Sequence, residues 1–411
     1  MSFISDLISN KIEANKRTGL YREIPKINPA RHDFKPHSNK NNIFTSKRYK
    51  YNSNYNTEFI NLATNDYLGL SSDERIKNAI KKAVNTYGTS TSSSFLIYGH
   101  SDIHTKLEKK LCEFKGNYEN CILYPSGYQA NIGVIKALSD ISPLKTFIVF
   151  DELSHASIID GILTSGAKFR SFKHNDLNYL SNILYKHRNY EIKMVITEGV
   201  FSMDGDIPDL RGILDIAEEY DAVSIVDDAH ATGTIGDKGG GSVDFHAVKP
   251  DILIGTLGKA LASSGAFVLS KRLIIEYLIN FSRAFIFSTG MPPTSAAASV
   301  KAIDIIKENP EIVKTLQDNS GFARNYLRQC GLNILNSSTH IIPVLIGDEN
   351  KAVLIEKGLL EAGIYLKAIR YPAVPKKKAR LRLGINTSIN ITALENALKI
   401  LVNTYDKQTK S

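Results

Sequence analysis

Ala222-Val223-Ser224-Ile225-Val226-Asp227-Asp228-Ala229-His230 and Asp251-Ile252-Leu253-Ile254-Gly255-Thr256-Leu257-Gly258-Lys259-Ala260 decide how this chain folds. Each is a short run of mostly branched apolar residues that gives way to small and polar ones. Such a run reads as a strand buried on both faces that delivers polar groups at its carboxyl end. Two of these strands place an acid, an imidazole and an amine at one edge of a sheet, where open α/β folds bind ligands.

Working outward, similar runs predict strands at 120–124, 146–150, 193–197 and 265–269, mostly separated by helical stretches. That alternation implies a largely parallel sheet covered on both faces. Ser71-Ser72-Asp73-Glu74 has capping-box spacing, and Ile76, Ala79, Ile80, Ala83 and Val84 make one helical face behind it. A second helix is expected from Ile103 to Phe114, ended by Gly116. Past Pro292-Pro293 the pattern changes to a helical region at 294–330, a strand at 340–346 and a helix at 350–362. A strand near 380–383 and a helix at 391–404 close the chain. The expected plan is an arm and polar loop over 1–60, a large α/β domain over 61–293 and a smaller α+β domain over 294–411. Phe3, Ile4, Leu7 and Ile8 recur at helical spacing, as in an amphipathic arm that packs on the body or on a partner subunit. Residues 28–58 read as a long loop or weak hairpin.

The chain has 411 residues, 43% hydrophobic and 23% charged, ordinary for a soluble globular protein. No run is long enough to span a membrane, and the N-terminus lacks the basic start and apolar core of a secretory signal, so a cytoplasmic protein is expected. Cys112, Cys121 and Cys330 show neither disulfide nor zinc spacing, and no metal is expected. The net charge of +9 comes from scattered lysines without a nucleic-acid-binding motif. Its one dense cluster, Lys376-Lys377-Lys378 with Arg380, reads as a solvated loop or as a guide for the phosphates of an acyl carrier.

Lys259 follows Gly-Thr-Leu-Gly and precedes small apolar residues, an unusual setting for a solvated lysine. An amine that forms a Schiff base, with a carboxylate to hold a pyridinium nitrogen, is the apparatus of pyridoxal phosphate (PLP) chemistry. Asp227 is either that carboxylate or an ordinary helix cap at a strand end. His230, three residues on, is placed to meet the cofactor's phenolic oxygen. Tyr124-Pro125-Ser126-Gly127-Tyr128-Gln129-Ala130-Asn131 ends a strand and opens a helix, a phosphate-binding arrangement or simply a turn and cap. His155, in Asp151-Glu152-Leu153-Ser154-His155-Ala156-Ser157, is structural or stacks on the cofactor ring. Glu198-Gly199-Val200-Phe201-Ser202-Met203-Asp204-Gly205-Asp206 lacks calcium-loop spacing and reads as a rim loop, with Ser202 bonding the cofactor. Arg370 and Arg382 lie among apolar residues, as carboxylate clamps or structural ion pairs alike.

Together these segments resemble the α-oxoamine synthases, a PLP-dependent family of the aspartate-aminotransferase fold (PLP fold type I), from roughly Leu20 to Asn390. Asn65-Asp66-Tyr67-Leu68-Gly69-Leu70 and Thr256-Leu257-Gly258-Lys259 join the 151–157, 198–205 and 226–230 motifs in carrying the likeness. The resemblance implies that Lys259 bears PLP, Asp227 pairs with the ring nitrogen and His155 stacks on the ring. Ser202 and His230 would contact its polar edge, while Gly127, Tyr128 and Thr256 hold the phosphate. Ser288 and Thr289 would reach a neighbour's phosphate across a homodimer interface. Arg382 would bind the amino-acid carboxylate with Asn65, and Arg22 would contact substrate.

Within the family, Ala368-Ile369-Arg370-Tyr371-Pro372-Ala373-Val374-Pro375 points to members that join L-alanine to a pimeloyl thioester of coenzyme A or acyl carrier protein, with loss of CO₂, in biotin synthesis. Sister synthases use glycine or serine. Ala373 stands where the typical enzyme has a substrate-contacting Thr, Tyr371 replaces Pro, and Phe95 replaces Arg or Gly.

Overall fold

The computed structural model describes residues 3–18, 20–22, 24 and 59–409. The polar stretch 28–58 lies outside the described residues. Two compact units emerge, one over Asn65–Asp318 and one combining residues up to Thr64 with those from Asn319 onward.

The first unit is built on a seven-stranded sheet of β1 (Asn120–Tyr124), β2 (Thr146–Asp151), β3 (Lys168–Phe172), β4 (Ile192–Glu198), β5 (Val223–Asp227), β6 (Ile252–Thr256) and β7 (Ala266–Ser270). Their order is β1-β7-β6-β5-β4-β2-β3. Neighbours from β6 to β3 run parallel, and β7 is antiparallel to both β6 and β1. Six of these strands fall within two residues of expectation. The seventh, β3, was not foreseen: its Lys168-Phe169-Arg170-Ser171 are exposed, so no apolar run marks it. Among the described residues it lies at the sheet's edge and pairs only with β2.

The parallel strands are buried because helices cover them. Phe147, Val149, Phe172 and Val195 pack with Leu180 and Leu184 of α6 (Leu177–Lys186) and with Ile213 and Ala217 of α7 (Leu210–Glu219). Other helices of this unit are α2 (Glu74–Tyr87), α3 (Asp102–Phe114), α4 (Gly127–Ser139) and α5 (Ala156–Ser165). The expected capping box is corrected by its geometry. Leu70–Ser72 forms a 3₁₀ turn, and Asp73 caps α2 by accepting the Arg75 N–H at 2.8 Å.

The helical region expected over 294–330 is two helices, Pro293–Glu308 and Glu311–Gln329. Asn309-Pro310 separates them, as proline removes a backbone donor and clashes with the preceding turn. Helix Pro293–Glu308 packs on α2 and α3, so the first unit extends past the expected boundary at 293.

In the second unit, strands Ile341–Gly347, Ala368–Ile369 and Ala379–Gly384 form an antiparallel sheet, covered by helix Glu349–Glu361, on which helix Ile391–Thr409 packs. Strand Ile60–Asn61 pairs with Ile364–Tyr365, which ties residues 60–61 to this unit. The amphipathic arm exists as helix α1, Phe3–Arg17, but none of its residues is buried. Among the described residues, no helix is long and apolar enough to cross a membrane.

Candidate active site

The carboxyl ends of β1, β2, β4, β5 and β6 point to one edge of the sheet, and every chemical motif of the first unit sits there. Asp227 ends β5, paired in register with Glu198 of β4 and Ile254 of β6. Its carboxylate is buried, and both donors that reach it are neutral: Asn131 Nδ2 at 2.8 Å and the Ala229 N–H at 3.0 Å. Burying an ion costs several kcal/mol, while a hydrogen bond to a charged group returns about 1.5–3 kcal/mol. Among the described residues only neutral donors hold this carboxylate, which suits it to a cation bound from outside.

Asp228, one residue on, has the opposite surroundings. Its carboxylate forms a fully buried ion pair with Lys115 and accepts hydrogen bonds from the Ser242 N–H at 3.0 Å and Thr232 Oγ1 at 2.9 Å. Lys115 Nζ also donates to Thr232 Oγ1 at 3.0 Å and to Gly240 O at 2.7 Å. The backbone beside it is left-handed at Gly241, φ 83°, a conformation open to glycine. Of two adjacent acids, one is spent on structure and the other faces the site.

Lys259 follows β6 and is half-buried, its Nζ 2.8 Å from His230 Nε2. His230 Nδ1 lies 2.8 Å from the hydroxyl of Tyr67, which donates to Asn65 Oδ1 at 2.8 Å. Since that proton is committed to Asn65, Tyr67 receives one from Nδ1, which leaves Nε2 of His230 as the acceptor facing the lysine. Tyr67 is fully buried and was not singled out from the sequence, although it sits two residues from Asn65 in the same motif.

His155 caps α5, its Nδ1 accepting the Ser157 N–H at 3.3 Å, which places the ring proton of the neutral form on Nε2. Burial first, then the nearby Lys259 charge, lowers its pKa against the opposing pull of Asp227, so the ring is neutral at pH 7. The His155 N–H donates to Glu198 Oε1 at 2.6 Å. Glu198 is fully buried, and burial followed by the proximity of Asp227 pushes its pKa well up. Asn131 and Glu198 also went unassigned. The available signal was that Asn131 lies one helical turn beyond Gly127, on the same face of α4.

At the start of α4, Ser126 Oγ accepts the Gln129 N–H at 3.2 Å, so the helix opens on free N–H groups. Gly127 lies beside Thr256, since a Cβ placed there would be 3.8 Å from the Thr256 Cβ. Small residues, a helix start and a hydroxyl make a cradle for a phosphate. Tyr128 turns outward, and its hydroxyl donates to Asp160. Ser288 Oγ accepts Gln129 Nε2 at 3.1 Å, and Thr289 bridges to Ser94. Ser202 is buried in the turn after β4. The residues present therefore fit PLP: an amine, a carboxylate awaiting a cation, a neutral imidazole and an anion cradle on one sheet edge.

The remaining candidates belong to the second unit. Arg22 Nη2 donates to the Tyr371 carbonyl at 3.4 Å, and Arg22, Arg370, Tyr371 and Ala373 line a cleft of about 310 Å³. Arg382 is buried on strand Ala379–Gly384, opposite Pro343.

Comparison with known proteins shows the family. The model of the aminotransferase class I and II family matches residues 57–401. The chain is 40% identical to 8-amino-7-oxononanoate synthase of Thermoanaerobacter pseudethanolicus, across 97% of each chain. Among solved structures, serine palmitoyltransferase from S. paucimobilis superposes with a TM-score of 0.82 at 27% identity, covering 86% of this chain and 89% of that one. An 8-amino-7-oxononanoate synthase from Francisella tularensis gives 0.72 at 30% identity, covering 85% and 98%. The chain belongs to the aminotransferase class I and II family, and within it to the α-oxoamine synthases, PLP-dependent enzymes of acyltransferase type.

Proposed function

We propose that this enzyme condenses L-alanine with a pimeloyl thioester, carried by coenzyme A or acyl carrier protein, to give 8-amino-7-oxononanoate, CO₂ and a free thiol in biotin synthesis. The observation that carries this reading is the 40% identity to a synthase of that name along 97% of both chains. In this reading the enzyme is a cytoplasmic homodimer, and Ser288 and Thr289 serve the partner's phosphate site.

Bound PLP supplies an electron-accepting ring that stabilises negative charge at the amino acid's Cα. Lys259 would hold the cofactor, and its amine would take and return the substrate's Cα proton. His230 Nε2, 2.8 Å from its Nζ, keeps the amine aimed and meets the cofactor's polar edge together with Ser202. Asp227 keeps the ring nitrogen protonated, with Asn131 fixing its carboxylate. Gly127, Tyr128 and Thr256 hold the phosphate. His155, with its proton on Nε2, would lie against the ring and donate a hydrogen bond to the thioester oxygen. Arg382 and Asn65 bind the alanine carboxylate, while Arg22, Arg370 and Ala373 line the acyl end.

A sister reaction with glycine or serine is the second reading, favoured by Ala373 and by the likeness to serine palmitoyltransferase. A grid of amino acids against acyl thioesters, read by the mass of the product ketone, separates the two. Product from L-alanine with the pimeloyl thioester supports the first reading. Product from glycine or serine alone overturns it.

A further inference from the structure

The turn between β3 and α6 grips two other segments of the sheet edge. His174 Nδ1 lies 3.0 Å from both carboxylate oxygens of Asp151, the last residue of β2. Its Nε2 lies 2.6 Å from Asp206 Oδ2, in the loop after β4. The His174 N–H donates to Glu152 Oε1 at 3.2 Å. Asn175, in the left-handed region with φ 56°, gives its N–H to Asp151 Oδ2 at 3.3 Å and accepts the Asp209 N–H at 2.8 Å. Phe201 meets the imidazole edge-on, with ring centroids 4.4 Å apart. Three segments distant in sequence are thus clipped by two adjacent residues.

The clip is ionic at its centre. Both ring nitrogens face carboxylates, so both carry protons. Burial would push the His174 pKa down, but the hydrogen bonds to Asp151 and Asp206 override it and raise it to about 10. Among the described residues, His174 is the one hydrogen-bond partner of the Asp206 carboxylate, whose Oδ1 is buried without one. Loss of the imidazolium would leave Asp206 buried with its charge unmet, and the loop would open to hydrate it.

That loop has a defined shape. The Phe201 N–H donates to Asp206 O at 3.1 Å and the Gly205 N–H to Phe201 O at 2.9 Å, which closes a tight turn carrying Ser202. Asp151, on the clip's other side, leads directly into the turn that presents His155. We infer that His174 is a positioning residue that locks the Ser202 turn to the strand end leading to His155. The cofactor's polar edge and its ring face are then contacted from mutually fixed places. This rests on the reading of Ser202 proposed above. Both ring nitrogens of His174 are taken up by Asp151 and Asp206, so it acts through the segments it holds.

The test uses His174→Gln, Asp206→Asn, Ser202→Ala and each of the first two combined with Ser202→Ala. Asp206→Asn loosens the loop side alone and serves if His174→Gln does not fold. Amide exchange over 199–206 in cofactor-free protein is expected to speed up about tenfold or more in both clip variants, with α4 unchanged. In protein loaded with PLP, both are expected to move the pH at which the visible absorbance titrates by roughly half a unit or more, in the direction Ser202→Ala moves it. Neither should shift it further in the Ser202→Ala background. Unchanged exchange, or an equal shift with and without Ser202, overturns the inference. If Ser202→Ala alone leaves the absorbance unmoved, the proposed role of Ser202 fails, and the exchange result still decides the clip.

Discussion

Replacing His174 with glutamine should change how stability depends on pH, in a direction the structure dictates. The imidazole has an ordinary pKa of about 6.5 in an unfolded chain and about 10 in place between Asp151 and Asp206. The folded value lies above the unfolded one, so the folded chain holds an extra proton between those two pH values. The stabilisation is complete below pH 6.5 and is lost as pH rises toward 10. At 1.36 kcal/mol per unit the upper bound is about 5 kcal/mol, which partial solvent access cuts to about 2–3 kcal/mol. The raised pKa of Glu198 also makes stability depend on pH, so the informative quantity is the difference between wild type and variant at each pH. Denaturant unfolding of cofactor-free protein from pH 6 to 10 measures it. The wild-type advantage should be about 2–3 kcal/mol near pH 6 and shrink steadily toward pH 10. A difference independent of pH would refute the charged clip.

Lys115→Met should cost about 3–5 kcal/mol, because it strands Asp228 as a buried unpaired charge. Adding Asp228→Asn should recover most of that in the same unfolding assay. Glu198 has a raised pKa, so folding is opposed increasingly as pH climbs above the ordinary carboxylate range. Glu198→Gln should remove that decline and match or exceed wild-type stability at pH 8. In the acyl cleft, Ala373→Thr with Tyr371→Pro should alter kcat/KM ratios between acyl chain lengths by about 10–100-fold, with spectral titration of PLP unchanged. A uniform effect on every thioester would place these residues outside chain-length selection.

Much of the architecture could be read from the chain because its buried parallel strands are continuous apolar runs. Ile252-Leu253-Ile254 and Val223 to Val226 announce themselves, whereas the exposed edge strand β3 has no such pattern and was invisible. Helical periodicity continues on both sides of Pro310, so the sequence pattern does not reveal the break between the two helices there. In the site, residues at strand ends were legible through the small residues around them, which explains why Lys259, Asp227 and His155 stood out. Tyr67, Asn131 and His174 act through partners far away in sequence, and local spacing does not encode such pairings. Lys115 was missed for the same reason, since its partner Asp228 lies 113 residues on.

The central claim is that Lys259 carries the cofactor. Borohydride reduction of the PLP-loaded enzyme, followed by proteolysis and mass spectrometry, tests it most directly. The account predicts a pyridoxyl mass increment on the peptide bearing Lys259 and none on that peptide in Lys259→Ala. An unmodified Lys259, or stable labelling confined to another lysine, would contradict it.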